Sequence, residues 1–355
     1  MGRSVFLCFL GTGNYMECRY KYSREGEEKI SDAAVYAQCA IAELMGAEWT
    51  DAYVFTTKAA YAKHFEKLNA CWPRPGVKLE PVEIPDGKGE AEIWSIFEII
   101  LGKLQNGDEV WLDITHGFRS LPFIAGSLIQ YAKIINNIDV KAILYGAYEA
   151  KAPLEGGAGI APIFDMSAFS TILDWSSAAN NFIHFGYGTQ IKALTDKSIV
   201  PILKETSGKD KTAASLNKLS KNLNSLCLEL RTCRGGKLIK GSSSANVLEA
   251  IDSLQKDNGV IPALNPLFAK IRESVASMEQ SPNDVRNMLT SVQWCLDKHL
   301  IQEGLTLLDE GVISYFMGGR YNEYGLRDYV SAYMAQYGDK AVHYDDSRFR
   351  KKFGD

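Results

Sequence analysis

Two rhythms of apolar and polar positions alternate through the first 150 residues. Ser4–Leu10 (SVFLCFL) is apolar at every position after the serine, which predicts a strand buried on both faces. CRYKYSREGEEKI then predicts a hairpin. From Ser31 to Met45, Ala34, Ala37, Cys39, Ile41 and Leu44 recur at helical spacing, with Ser31 or Asp32 placed to cap the first turn. The same reading gives strands over 51–57, 77–84, 109–114 and 139–150, and helices over 59–68, 89–104 and 121–135. Strand, loop and helix in regular succession predict a parallel-rich, doubly wound sheet covered on both faces. The rhythm breaks at 151–163, where APLEGGAGIAP reads as a hinge. Beyond it the pattern is helical over 166–185, 191–207, 213–234, 246–255, 266–279, 282–298 and 300–317, with 235–244 read as a mobile loop. Two domains follow: 1–160, α/β, and 161–355, all-α.

Composition adds exclusions. With 39 Lys+Arg against 43 Asp+Glu the net charge is −4, so no global positive field draws the chain to nucleic acid or an anionic membrane. A nucleotide partner must be held by a local site. Seven singly scattered cysteines give neither a zinc-binding pair nor a secreted disulfide framework, and they read as reduced thiols of a cytoplasmic protein. The longest apolar stretch, Leu121–Ile135, is interrupted by Pro122, Gln130 and Lys133 and is too short to span a bilayer. From Gln190 to Gly241, eleven Lys+Arg face four Asp+Glu, but without stacking aromatics this reads as a solvated helical face before an RNA site. The adjacent acidic pairs Asp309-Glu310 and Asp345-Asp346 do not converge as metal ligands, and no metal or cofactor is expected.

In an open parallel sheet, ligands collect at the carboxyl ends of the strands, where loops and helix N-termini converge. Two loops there have suitable chemistry. Gly11-Thr12-Gly13-Asn14-Tyr15 combines close backbone approach, a hydroxyl, an amide and a stacking ring. It lacks the third glycine of the dinucleotide fingerprint, and a tight strand-end turn is the plain alternative. Asp113-Ile114-Thr115-His116-Gly117-Phe118-Arg119-Ser120 closes a strand and opens a helix, a placement suited to phosphate. A capping Asp, a satisfied loop His and an ion-paired Arg are its plain alternatives.

The sequence Asp113-Ile114-Thr115-His116-Gly117 resembles the D-x-T-H-G signature of a family of CRISPR-associated proteins, and Gly11–Tyr15 after the first strand resembles that family's opening loop. Asn181–Gly186 (NFIHFG) resembles its region just past the sensor domain. The resemblance implies a CARF domain, the Rossmann-like sensor that binds cyclic oligoadenylate, here expected to be cyclic tetra-adenylate, across the axis of a homodimer or a higher assembly. Carried over, Gly11, Thr12, Gly13, Asn14 and Tyr15 line the ligand site together with Thr115, His116, Gly117, Phe118 and Arg119. Thr56, Thr57 and Lys58, and Tyr145 and Gly146, join them by topology alone, with Lys58 and Arg119 also readable as buttresses.

Trp294–Phe316 resembles the opening helix of the HEPN ribonuclease domain commonly joined to this sensor; by spacing it is an amphipathic helix with Leu296, Leu300, Leu305, Leu308 and Val312 near one face. HEPN catalysis needs an Arg followed four to six residues later by a His. None of His64, His116, His184, His299 and His343 has one, and Arg320 and Arg327 are not spaced to help. Either that segment lies beyond Asp355, so that the output is metal-independent cleavage of single-stranded RNA, or the domain lacks it. The interrupted character of Arg348–Asp355 favours the former. A ring nuclease that cleaves its own ligand, a non-catalytic sensor or scaffold, and an ordinary dinucleotide-dependent enzyme are the rival readings.

Overall fold

The computed structural model describes residues 2–336 apart from 25, 47, 118–120, 155–156, 257–261, 279–280, 283 and 322. Phe118, Arg119, Ser120, His343, Asp345-Asp346 and the Arg348–Asp355 ending therefore lie outside the described residues. The chain divides into two compact units between Thr171 and Ile172.

In the first unit, β1 (Ser4–Leu10) is followed by the hairpin β2 (Arg19–Arg24) and β3 (Glu27–Ile30), α1 (Ala37–Met45), β4 (Asp51–Thr56), α2 (Lys58–Ala70), β5 (Leu79–Glu83), α3 (Glu90–Leu101), β6 (Glu109–Asp113), α4 (Leu121–Ile135), β7 (Asp139–Gly146), β8 (Ala152–Leu154) and β9 (Gly157–Asp165). Among the described residues these strands form one nine-stranded sheet, ordered β3-β2-β9-β7-β6-β1-β4-β5 with β8 on β9. The strands β5, β4, β1, β6 and β7 run parallel, and β9 returns antiparallel to β7. The sheet is thus the Rossmann-like α/β arrangement expected from the alternation.

The unbroken apolar run of β1 has a direct packing cause. Side chains alternate across a strand, and here Phe6, Cys8 and Leu10 enter the core under α1 and α2 while Val5, Leu7 and Phe9 enter the one under α3 and α4. Both faces are covered, so neither set can be polar. Strand order grows outward from β1 in both directions, toward β4 and toward β6. The crevice beyond the carboxyl ends of β1 and β6 is therefore the topological switch point, where an open sheet of this kind holds its ligand.

Several expectations are corrected. Helix α1 starts at Ala37 rather than near Ser31, and its N-cap, Tyr36, makes no side-chain cap. Ser31 serves the hairpin instead: its Oγ accepts from Tyr20 N at 3.0 Å and donates to Asp32 O at 2.8 Å. The expected hinge at 151–163 is largely sheet, and the boundary placed at residue 160 falls inside β9. Ala161 and Ile163 are buried on the β2–α1 side while Phe164 is 47% exposed, an alternation with the period of a strand.

The second unit takes up α5 (Ser167–Phe185) from Ile172 and continues with α6 (Thr189–Glu205), α7 (Lys211–Arg231), α8 (Gly235–Leu238), α9 (Ser242–Lys256), α10 (Asn265–Ala276), α11 (Arg286–Asp297), α12 (Ile301–Phe316) and α13 (Tyr324–Gln336). Its core joins Trp175, Phe182, Leu223, Val247, Phe268, Trp294 and Leu307. The loop expected over 235–244 is instead α8 and the first turn of α9. The separate helices expected over 282–298 and 300–317 are α11 and α12, so Trp294–Phe316 is not one helix as the resemblance implied: the chain breaks where His299 takes a φ of 60°. The buried stripe of α12 is Gly304, Leu307, Gly311 and Ile313, and Leu305 and Leu308 are exposed. The basic stretch is partly neutralised by the pairs Lys192–Asp196, Lys218–Glu249 and Lys237–Glu229, consistent with a solvated face. No helix among the described residues is long and apolar enough to cross a membrane, and all seven cysteines are free.

The NFIHFG segment acquires a packing role. Phe182 is fully buried against Trp294, with ring centroids 6.0 Å apart, and Gly186 ends the helix at a φ of 68°. A Cβ at Gly186 would lie 2.8 Å from Trp294 Cη2 and 3.3 Å from Leu300 Cδ1. Gly186→Ala therefore combines a left-handed backbone penalty of about 1 kcal/mol with an overpacking cost of about 1–3 kcal/mol. Urea unfolding is expected to register a loss of about 2–4 kcal/mol, and an unchanged midpoint would contradict this packing.

Candidate functional site

Loops from the two sides of the switch point meet around Tyr15. Its hydroxyl donates to Gly11 O and accepts from Gly11 N, both at 2.9 Å, closing the five-residue loop on itself. Its ring lies between two imidazoles, with centroids 4.2 Å from His116 and 4.7 Å from His64, and meets Tyr36 edge-on at 5.6 Å. Gly11 suits this approach, since a Cβ there would stand 3.1 Å from His116 O and 3.3 Å from Tyr15 Oη, tight enough to push either neighbour back. The two loops singled out in the sequence, one after β1 and one after β6, thus touch.

The second loop is stiffened from within. Asp113 is fully buried at the end of β6, and its Oδ1 accepts from Thr115 N at 2.9 Å and Thr115 Oγ1 at 2.5 Å. Thr115 Oγ1 in turn accepts from Gly146 N at 2.8 Å, which ties the end of β6 to the end of β7. Burial raises the Asp113 carboxyl to about 6 despite the two hydrogen bonds that favour its ionised form. Its Oδ2 is buried without a partner. Next in the chain, His116 is only partly exposed, and its Nε2 is fully covered and has no hydrogen-bond partner among the described residues. Burial, helped by nearby His64, pushes its pKa down to about 4, so the ring is neutral at physiological pH.

Residues not anticipated from the sequence complete the cluster, all from α2 and the approach to α1. His64 Nε2 lies 2.8 Å from Gly13 O and His64 Nδ1 lies 3.2 Å from Tyr36 Oη. Because a carbonyl only accepts, Nε2 carries the proton and the neutral ring's Nδ1 accepts from Tyr36, in keeping with burial lowering the His64 pKa. Lys63 Nζ donates to Thr12 O at 2.7 Å, Gly13 O at 3.4 Å and Asn14 Oδ1 at 2.8 Å. Gln38, fully buried on α1, donates to Phe9 O at 2.6 Å and leaves its Oε1 unpartnered. Beside Tyr15, Tyr36 and His64 opens a cavity of about 560 Å3, bounded further by Val35, Cys39 and Lys67.

The remaining expected residues are placed differently. Thr57 is the N-cap of α2, accepting from Ala60 N at 3.3 Å, and Thr56 Oγ1 donates to Thr57 O. Lys58 lies 3.5 Å from Glu83 in an exposed ion pair. These three line a separate hollow with Tyr61, Pro81 and Glu83. Tyr145 donates its hydroxyl to Glu149 Oε1 at 2.5 Å, whereas Gly146 joins the Asp113–Thr115 chain.

The chemistry available is that of neutral donors and acceptors around an aromatic stack, with the Lys63 ammonium at its edge. Among the described residues no three or more His, Cys, Asp and Glu side chains gather as a metal site. The Gly11–Tyr15 loop leads into β2 and not into a helix, so the helix N-terminus that holds a dinucleotide's pyrophosphate is missing there.

Comparison with known proteins bears on this same region. The model of the CRISPR system endoribonuclease Csx1, CARF domain, matches residues 86–149, which run from just before α3 through β6, the Asp113–Gly117 turn and α4 to the end of β7. CRISPR-associated protein MJ1674 of Methanocaldococcus jannaschii is 23% identical over 230 residues, covering 64% of this chain and 32% of that relative. The match thus spans about a third of the relative's length.

Proposed function

We propose that this chain, whose residues 86–149 match the model of a CARF domain, is in its first unit a sensor of cyclic oligoadenylate in type III CRISPR defence. The ligand is taken to be cyclic tetra-adenylate, bound across the two-fold axis of a homodimer. The observation that carries this reading is the junction of the two loops at the β1/β6 switch point, with His116 Nε2 covered, neutral and unpartnered beside Tyr15. A phosphodiester ring is satisfied by N–H, hydroxyl and imidazole donors and needs no strong positive field, which agrees with a chain of net charge −4. A homodimer is supported by α4, which leaves Phe123 (82%), Tyr131 (46%) and Ile134 (82%) exposed, an apolar strip suited to a second copy.

Binding would act by population shift, favouring one dimer arrangement and through it the state of the helical unit. For that unit we propose a HEPN-like ribonuclease acting on single-stranded RNA without metal. Residues 1–355 contain no Arg followed four to six residues later by a His, so no catalytic residue is named. The ring-nuclease reading is less favoured, because a histidine with a pKa near 4 is a weak general base at neutral pH.

Calorimetric titration with cyclic tetra-adenylate, cyclic hexa-adenylate, linear tetra-adenylate and NAD tests the sensor. Tight binding of one cyclic ligand per two chains is expected, with the ring recovered intact by chromatography after incubation. Recovery of linear products would transfer the assignment to a ring nuclease. Heat from NAD alone would return the fold to dinucleotide chemistry.

A further inference from the structure

Lys63 differs from several lysines on and around the sheet, which are held in ion pairs. Lys58 is paired with Glu83, and farther along the sheet Lys103 pairs with Glu80 and Lys141 with Glu109 and Asp139. Lys63 instead spends its three N–H groups on neutral oxygens, the carbonyls of Thr12 and Gly13 and the side-chain oxygen of Asn14. No carboxylate pairs with it among the described residues, so its charge is solvated but not neutralised. The loop it touches does not depend on it for shape: Tyr15 closes that loop through Gly11, and His64 holds Gly13 O independently.

A full negative charge competes well for such an ammonium, because a phosphate oxygen adds the attraction of opposite charges to the hydrogen bond that a neutral oxygen also accepts. We propose that Lys63 is a phosphodiester contact of the switch-point site and a latch on its first loop. When the nucleotide binds, the ammonium exchanges the oxygens of Thr12 and Asn14 for a phosphate oxygen. The Asn14 side chain and the Thr12 carbonyl are then free to meet the ligand. The exchange couples occupancy of the site to the conformation of residues 12–14 without moving the sheet. This assignment rests on the nucleotide-sensor reading above, and it adds a positive charge beside the Gly11–Tyr15 loop, which carries none of its own.

The test is titration of wild type, Lys63→Met and Lys63→Arg with cyclic tetra-adenylate between about 50 and 200 mM salt. Each phosphate neutralised contributes roughly 0.7 to the slope of log affinity against log salt for a single strand. Lys63→Met is expected to bind about tenfold or more weakly at the low-salt end, with the slope reduced by about 0.7, and Lys63→Arg to keep the wild-type slope. A Lys63→Met slope equal to wild type overturns the proposal even if affinity falls, since a purely structural strap would change affinity alone. Wild type that binds no cyclic ligand at any salt overturns the sensor reading and this assignment together, whereas binding with an unchanged slope overturns the Lys63 assignment only. Circular dichroism melting of the three proteins checks that each is folded.

Discussion

His116→Phe is expected to weaken cyclic tetra-adenylate binding roughly tenfold to a hundredfold, corresponding to about 1.5–3 kcal/mol for one hydrogen bond to a charged partner. In the free protein Nε2 is covered and makes no hydrogen bond to the described residues, so it has lost its water before any ligand arrives. A ligand group that reaches it gains a hydrogen bond with little further desolvation on the protein side. Phenylalanine keeps a ring of similar size against Tyr15, whose centroid lies 4.2 Å away, and so preserves the stack while removing the nitrogen. Alanine would also leave a void beneath the loop and confound the two effects. Calorimetry beside thermal unfolding separates them: affinity should fall while the melting transition stays near that of wild type. Wild-type affinity in His116→Phe would mean that Nε2 is buried for structural reasons, and the junction would lose its place as the recognition point.

What could be read from the sequence divides along the range of the interactions involved. The D-I-T-H-G turn was legible because its defining contact is local, Asp113 with Thr115, although Thr115 also reaches across to Gly146. Strand β1 was legible because burial on both faces leaves no polar position after Ser4. Lys63 and His64 were not, since nothing in the pattern of α2 tells which of its residues faces a loop some fifty positions earlier in the chain. The return of β9 to the sheet was hidden for a related reason. Its glycines and proline look like a linker until the partners β2 and β7 are known. Helix α12 was assigned the wrong stripe because leucines outweigh glycines in a hydrophobic pattern, yet the face that packs is the one carrying Gly304 and Gly311. In each case the missing information was the identity of a distant neighbour.

The same two loop residues set a pH dependence that single substitutions should expose. Asp113 titrates near 6 in the folded protein against an ordinary value of 3.8, because burial disfavours its charge. A carboxyl raised in this way weakens the fold when ionised: its cost of about 3 kcal/mol is present above pH 6 and is relieved as the pH falls toward 4. His116 works in the opposite sense. Its pKa near 4, against an ordinary 6.5, means that the unfolded chain takes up a proton before the folded one does. About 3 kcal/mol of stability is therefore lost as pH falls from 6.5 to 4. The two windows nearly coincide and the two contributions nearly cancel, so wild type conceals both. His116→Phe removes the destabilising half: relative to wild type it should gain about 3 kcal/mol between pH 7 and 4. Asp113→Asn removes the other half and should lose about as much relative to wild type over the same range, and the double variant should again run parallel to wild type. Urea unfolding at closely spaced pH values measures all four curves. Parallel curves for wild type and both single variants would mean that neither group is held away from its ordinary protonation. The covered loop junction would then be open to water, and a ligand would find there no nitrogen already stripped of its solvent.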